Sequence, residues 1–306
     1  MTEDHTRIAR QAILKTVAFF DTMDYSPTWV EVVAWHEGTG CHDLSPSSLE
    51  EIKDALIVSG LLEEGDGRIA LKNRLDPLLK LVRERTALFP RKIRAARKIA
   101  SWLARHEAVR FVALANTTSL AHARDGGDLD FFVVVRAGSI WSTRLTAGAP
   151  YRLTGQLSGP QEKQDAVCLS YFIADDALDI TSHMLSVDDP YFRYWFLALL
   201  PLYDDGVSAQ LWQANQAITS RHPCAEPWMV SPDLAVSRPM IRIPSPRWFE
   251  RVARQFQMRW FPASIRDRMN RDTSVIVNDH ILKFHVDDGR EQYRARYQER
   301  LRLCGL

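Results

Sequence analysis

Two acidic residues two positions apart, Asp128 and Asp130, open the apolar run Leu129-Asp130-Phe131-Phe132-Val133-Val134-Val135, which reads as a β-strand. Alternation along a strand puts both carboxylates on one face and turns Leu129 and Phe131 into the core. Paired carboxylates near a sheet edge suit a hard divalent cation with oxygen ligands. Upstream, a second apolar strand, Phe111-Val112-Ala113-Leu114-Ala115, runs into Asn116 and the hydroxyl residues Thr117, Thr118 and Ser119. Ser119, read as the start of a short helix, would offer its hydroxyl and neighbouring backbone N–H groups to a phosphate. The combination fits phosphoryl-type transfer, in which metal ions bridge a triphosphate, about 3.5–4 Å apart where two are used. An isolated Asp-x-Asp is common on solvated strand ends. The order strand, hydroxyl turn, short helix, Asp-x-Asp strand is what narrows the reading.

Those residues need elements to hold them. Strands are expected over Arg110 to Ala115, Leu129 to Val135 and Ala166 to Ile173. Ahead of them runs a basic helix with Arg91, Arg94, Lys98 and Arg105 on one face and Ile93, Ala96, Ala100 and Leu103 on the other. Its charges are either solvated, paired with acidic loops, or a contact for a polyanion beside the site. Arg144 is a partner for the Asp-x-Asp region or a contact for substrate phosphate. His122, between Ser119 and the carboxylates, could assist proton transfer or be a surface residue of a loop.

On these residues the chain resembles the DNA polymerase β-like nucleotidyltransferase superfamily, whose signature is a Gly-Ser pair followed by Asp-x-Asp on a strand. The likeness extends to a bacterial group in which a winged-helix-like segment precedes the core. It is carried by Ile13-Leu14-Lys15 to Tyr25, Ser119-Leu120-Ala121, Trp141-Ser142-Thr143-Arg144, Val167-Cys168-Leu169-Ser170-Tyr171 and Leu282-Lys283-Phe284-His285. The resemblance implies Mg2+ (or Mn2+) held by Asp128 and Asp130, phosphate contacted by Thr118 and Ser119, and an NTP as donor. It leaves the acceptor open among small molecules, RNA and protein. Thr118 stands where the family has glycine, the residue that permits close backbone approach to phosphate. Many members add a third carboxylate on the neighbouring strand. Here its inward polar position reads as Ser170, with Asp165 and Asp179 flanking as substitutes. A degenerate core that binds without turnover is the alternative.

The expected fold class is α+β: a winged-helix-like domain over 1–80, a small mixed-sheet core over 81–190 and a mainly helical region over 191–306. The first part has three helical patterns, with Ile8, Ala12, Val17 and Phe20 as the first stripe and a Ser47/Glu50 capping box on the third, then a hairpin signal at Gly65-Asp66-Gly67. Its third helix carries Glu50, Glu51 and Asp54 against Lys53, a face poorly suited to DNA phosphates. In the last region, helices are expected over Tyr191 to Leu200, Leu211 to Ser220 and Trp248 to Phe261, with a hairpin around Asn278-Asp279-His280. His280 and His285 read as structural, and Trp195, Trp212, Trp248 and Trp260 as packing residues.

Thirty-nine Lys and Arg against 38 Asp and Glu leave a net charge of +1, so no global field advertises a polyanionic partner. The four cysteines, Cys41, Cys168, Cys224 and Cys304, lie far apart without CxxC spacing, as in a reducing compartment. The polar start and the absence of a long apolar run lead to the expectation of a cytoplasmic protein with no membrane partner.

Overall fold

The computed structural model describes residues 3–38, 44–159 and 163–306. Three helices open the chain: α1 (Glu3–Asp21), α2 (Trp29–Trp35) and α3 (Pro46–Val58). The buried stripe of α1 contains Ala9, Ala12, Ile13, Val17 and Phe20, whereas Ile8 is exposed. Thr28 and Glu31 close a capping box on α2 that the sequence reading missed, the Glu31 amide donating to Thr28 Oγ1 at 3.2 Å and the Thr28 amide to Glu31 Oε2 at 2.7 Å. The cap of α3 is Ser45, not Ser47: Ser48 N–H donates to Ser45 Oγ at 3.2 Å, and Pro46 takes the first helical position, where its missing N–H costs nothing. The hairpin follows as β1 (Leu62–Gly65) and β2 (Arg68–Leu71). Its two turn residues, Asp66 (φ 51°) and Gly67 (φ 70°), both take the left-handed conformation of a type I′ turn.

Next come α4 (Leu75–Thr86), α5 (Phe89–Leu103), β3 (Val109–Leu114), the single turn α6 (Asn116–Ser119), β4 (Leu129–Val135), α7 (Ile140–Leu153) and β5 (Val167–Ala174). The remainder contributes α8 (Pro190–Leu197), β6 (Leu200–Asp204), α9 (Ser208–Ala214), α10 (Gln216–Thr219), α11 (Arg247–Trp260), α12 (Ala263–Arg268), β7 (Val275–Val277), β8 (Ile281–Phe284) and α13 (Arg290–Leu303). The chain is of the α+β class, built on a mixed six-stranded sheet in the order β6-β3-β4-β5-β8-β7. Within it β4 and β5 are parallel, joined through α7, and the other neighbouring pairs are antiparallel.

The region from 191 to 306, expected to be mainly helical, carries α8 to α13 and also supplies three of the sheet's six strands, β6, β7 and β8. The hairpin at 275–284 is present as read, but it extends the central sheet through β8 on β5. The strand β6 falls at the end of the helical pattern that was extended to Leu200. Its Pro201 is tolerated because β6 is an edge strand.

The two faces of the sheet are buried against different layers. Val112, Leu114, Leu129, Phe131 and Val133 pack with Ile93, Ala96 and Leu103 of α5 and Trp141 and Ala147 of α7. Phe111, Ala113, Phe132, Val134, Tyr171 and Ile173 pack with Phe192, Trp195 and Phe196 of α8. The N-terminal helices join this body through α8 and α13. Phe19 stacks on Tyr194 at 4.1 Å between centroids and meets Tyr297 edge-on at 6.1 Å.

Candidate metal and phosphate site

Leu129 and Phe131 of β4 are buried in the core, whereas Asp130 and Asp128, the residue just before the strand, are each partly exposed and bring a carboxylate oxygen together. The neighbouring strand supplies a third group: Asp130 is in register with Cys168 of β5. One oxygen of each carboxylate and the Cys168 sulfur lie within 4.8 Å of one another. Between Asp130 and Phe132 the register slips, so that Leu169 and Ser170 together oppose Phe131. This bulge leaves Cys168 and Ser170 neighbours, with Cys168 Sγ donating to Ser170 Oγ at 3.2 Å. The residue beside Asp130 is therefore Cys168, and Ser170 sits one step further along.

Two neutral donors hold the carboxylates. Ser158, in the loop after α7, donates to Asp128 Oδ2 at 2.7 Å; its own amide donates to the Val167 carbonyl at 2.9 Å. Asn116 Nδ2 donates to Asp130 Oδ2 at 2.7 Å, while Asn116 Oδ1 accepts from the Tyr191 hydroxyl at 3.0 Å. Asn116 occupies the left-handed region (φ 56°), which asparagine tolerates better than most residues. Asn116 and Ser158 were both missed in the sequence. An asparagine at the switch from an apolar strand into a turn was the available signal for the first. Nothing near Ser158 marks it.

Among the described residues, no Lys, Arg or His nitrogen lies within 4.0 Å of either carboxylate. Burial, and then the charge of Asp128, push the Asp130 carboxyl up to about 6, against the pull of Asn116. Burial also pushes the Cys168 thiol well up, with both aspartates adding to it, so the sulfur is protonated at neutral pH.

The remaining expected site residues are distributed as follows. Ser119 is the last residue of α6, not the first, and its hydroxyl donates to the Asn116 carbonyl at 2.7 Å. Thr118 is buried and has an ordinary φ; the left-handed residues of this turn are Asn116 and Ala121. The freedom of a glycine is thus not required at 118. Asp165 is taken up by cations from α5: Lys92 Nζ reaches its Oδ1 at 2.9 Å and the Gly127 carbonyl at 2.7 Å, and Arg91 pairs with its other oxygen. Asp179 is exposed and accepts from the Thr181 amide and hydroxyl at 2.9 and 2.6 Å. Neither aspartate joins the pair on β4.

His122 is no surface histidine. It is buried, its Nε2 bonds the Asp24 carbonyl at 2.8 Å, and its ring meets Tyr25 edge-on. Burial, helped by the Arg85 charge, lowers it to about 4, so it is neutral and committed to the N-terminal segment. Arg144 donates to Gln257 Oε1 at 2.7 Å and lies over the Phe284 ring at 4.3 Å, a packing role. On the basic helix, Arg91 pairs with Asp125 and Asp165, as the reading with acidic loops requires, and Arg105 falls beyond the end of α5. Trp195 is buried, but Trp248 and Trp260 are exposed and do not pack as expected. Cys168, Cys224 and Cys304 are free thiols; Cys41 lies outside the described residues. Among the described residues no helix is long and apolar enough to cross a membrane. No protein-family model, curated protein or solved structure matches the chain.

Proposed function

We propose that the chain is a nucleotidyltransferase that moves a nucleoside monophosphate from an NTP to an acceptor hydroxyl or similar group, with a divalent cation at Asp128 and Asp130. One observation carries this reading: two carboxylates converge with no Lys, Arg or His nitrogen within 4.0 Å of either among the described residues. Like charges this close repel, and in a partly desolvated setting the repulsion is expensive. A cation of charge two relieves it. The donor set fits Mg2+ or Mn2+ through its hard oxygens, while the Cys168 sulfur is a softer third donor than a carboxylate. When bound, such a cation would neutralise charge on the triphosphate.

The chain's own residues have definable parts. Ser158 and Asn116 hold the two carboxylates in one orientation, and Tyr191 holds Asn116. The acceptor oxygen forms a bond to the α-phosphorus as the bond from that phosphorus to the bridging oxygen of pyrophosphate breaks. The acceptor proton leaves to solvent or a base, and pyrophosphate carries off the electron pair. The order α5-β3-α6-β4-α7-β5 supports the reading, because it presents hydroxyl turn and paired carboxylates in the sequence the resemblance requires. The test is pyrophosphate release from each of the four NTPs, with Mg2+ or Mn2+, against a panel of hydroxyl acceptors. Turnover that survives Asp128→Asn plus Asp130→Asn would remove both residues from the reaction.

Cys168 favours a second reading, a nucleotide-binding or regulatory module without transfer. A protonated thiol beside Asp130 cannot accept the acceptor's proton as a third carboxylate could. Calorimetry with NTP and Mg2+ separates the two: metal-dependent binding without pyrophosphate release supports the module, and release supports the enzyme. The fit of α3 to DNA stays poor, since Lys53 is held by Glu50 and Glu64, and Arg68 of the hairpin is bonded to the Ser26 carbonyl.

A further inference from the structure

The helix α11 has two apolar sides, one of which, with Phe249, Ala253 and Met258, packs on the core. It is fixed to the body by Glu250, which accepts from the Trp141 and Ser142 amides at 2.7 and 2.9 Å and so caps the start of α7. Gln257 adds a bond from its Nε2 to the Trp141 carbonyl at 2.8 Å, and Ala253 is fully buried between them. The other side carries Trp248, Val252, Phe256 and Trp260, spaced i, i+4, i+8 and i+12, with Trp248 71% and Trp260 62% exposed. At about 1.5 Å per residue the four form a line about 18 Å long, and at about 100° per residue they sweep an arc of about 120°. Two further exposed apolar side chains, Met240 and Ile241, lie in the segment leading into the helix.

Four arginines share the outer part of the wheel with that line. Arg247, Arg251 and Arg254 fall in one sector beside the apolar arc, and Arg259 emerges within it near the C-terminal end. Only Arg254 has a carboxylate within reach, Asp279 at 3.3 Å, among the described residues. The single acidic residue of the helix, Glu250, is consumed by capping α7. The chain as a whole is nearly neutral, so this positive sector is a local feature.

We infer that α11 docks on an anionic lipid bilayer, with Trp248, Val252, Phe256 and Trp260 in the headgroup region and Arg247, Arg251 and Arg259 at lipid phosphates. An in-plane helix with Trp and Phe on one side and arginines beside them has the composition that favours this interface. Tryptophan, with an apolar body and one polar N–H, concentrates at that depth. Arginine can reach from the apolar edge to a phosphate along its own stem. Charge decides against a second copy of the chain: pairing two α11 faces would bring arginine sectors together with no free carboxylate on either helix. The expectation of no membrane partner rested on the polar start and the absence of a long apolar run. Among the described residues no helix is long and apolar enough to cross a membrane, which leaves lying on one untouched. The inference is independent of the proposed nucleotidyl transfer.

The test is co-sedimentation of the full chain with phosphatidylcholine vesicles and with vesicles in which part of the lipid is phosphatidylglycerol. Binding is expected to the anionic vesicles alone, to weaken with added salt, and to shift tryptophan emission to shorter wavelength. Val252→Asp, at an exposed position, should lower partitioning at least tenfold with an unchanged circular dichroism spectrum. Arg251→Ala and Arg259→Ala should each lower it about fivefold, the usual effect of one basic residue at an anionic surface. Absence of binding at low salt, equal binding by Val252→Asp, or a dimer in ultracentrifugation that Val252→Asp dissolves would each overturn the proposal. If Val252→Asp does not fold, Arg251→Ala decides alone, and unchanged partitioning by it overturns the electrostatic role.

Discussion

Two buried or half-buried acidic centres of this molecule are treated in opposite ways. At the junction between the N-terminal helices and the body, the Asp21 side chain is 1% exposed and held on both sides, by Arg74 Nε at 2.7 Å and Arg300 Nε at 2.5 Å. One arginine precedes α4 and the other lies on α13, so the carboxylate ties together segments far apart in sequence. Asp128 and Asp130 have Ser158, Asn116 and a thiol, all neutral, beside them, and among the described residues no Lys, Arg or His nitrogen lies within 4.0 Å of either carboxylate. The fold supplies a paired countercharge at Asp21 and, among those residues, none in contact with Asp128 and Asp130. Uncompensated charge of one sign in a positioned pair is what a structural network avoids and what a cation site requires.

Removing charge should therefore have opposite consequences at the two places. The largest expected effect is on turnover: Asp128→Asn plus Asp130→Asn should lower pyrophosphate release at least about 1,000-fold, as loss of directed charge stabilisation does elsewhere. Asp21→Asn should cost about 3 kcal/mol of stability in urea unfolding, because it strands Arg74 and Arg300 at a partly buried contact. Asp130→Asn should instead stabilise the metal-free chain at pH 8, by about 1–3 kcal/mol. The sign follows from linkage. The folded Asp130 carboxyl is raised from 3.8 to about 6, so the folded state holds its proton more tightly than the unfolded state. That contribution to stability is complete below about 4 and is lost as pH rises through about 6. Urea midpoints measured from pH 4 to pH 8 without metal should show this loss in the parent chain and a flatter profile in Asp130→Asn. Binding of Mg2+ with an NTP should run the other way and strengthen as pH rises through the same range. If both aspartate positions destabilise alike, the contrast between them is not real.

Much of this was readable from residues because it depends on local rules. Alternation brought Asp128 and Asp130 together, and Asp66-Gly67 specified a hairpin turn through positive φ. What escaped depends on partners distant in sequence. No local pattern says that β5 will lie beside β4 with a bulge at Leu169 and Ser170, and so that Cys168, not Ser170, will flank Asp130. Asp165 looked free until α5 brought Lys92 and Arg91 to it. The register of α6 was misplaced by a few residues, enough to turn Ser119 from a first helical residue into a last one. On α11 the periodicity revealed a stripe but not its direction. Trp248 and Trp260 read as core because apolar stripes usually face inward, whereas here Phe249, Ala253 and Met258, with Glu250 and Gln257, make the anchoring side.

Cys168 gives the contrast its finest test. If the site requires charge that the fold leaves incomplete, a third carboxylate in register with Asp130 should improve metal binding even though it adds repulsion to the empty site. Cys168→Asp is then expected to destabilise the metal-free chain while tightening Mg2+-dependent NTP binding about tenfold, a gain of about 1.4 kcal/mol, and to raise pyrophosphate release in proportion or more. Cys168→Ser keeps a neutral group of similar size and should move neither. The measurements are calorimetry with Mg2+ and NTP, and unfolding with and without the metal. Tighter binding with the stability loss cancelled by Mg2+ is the signature of carboxylates arranged for a cation. A stability loss that Mg2+ does not relieve would mean that the thiol stands beside Asp130 for packing alone, and that the pair on β4 is merely a crowded strand face.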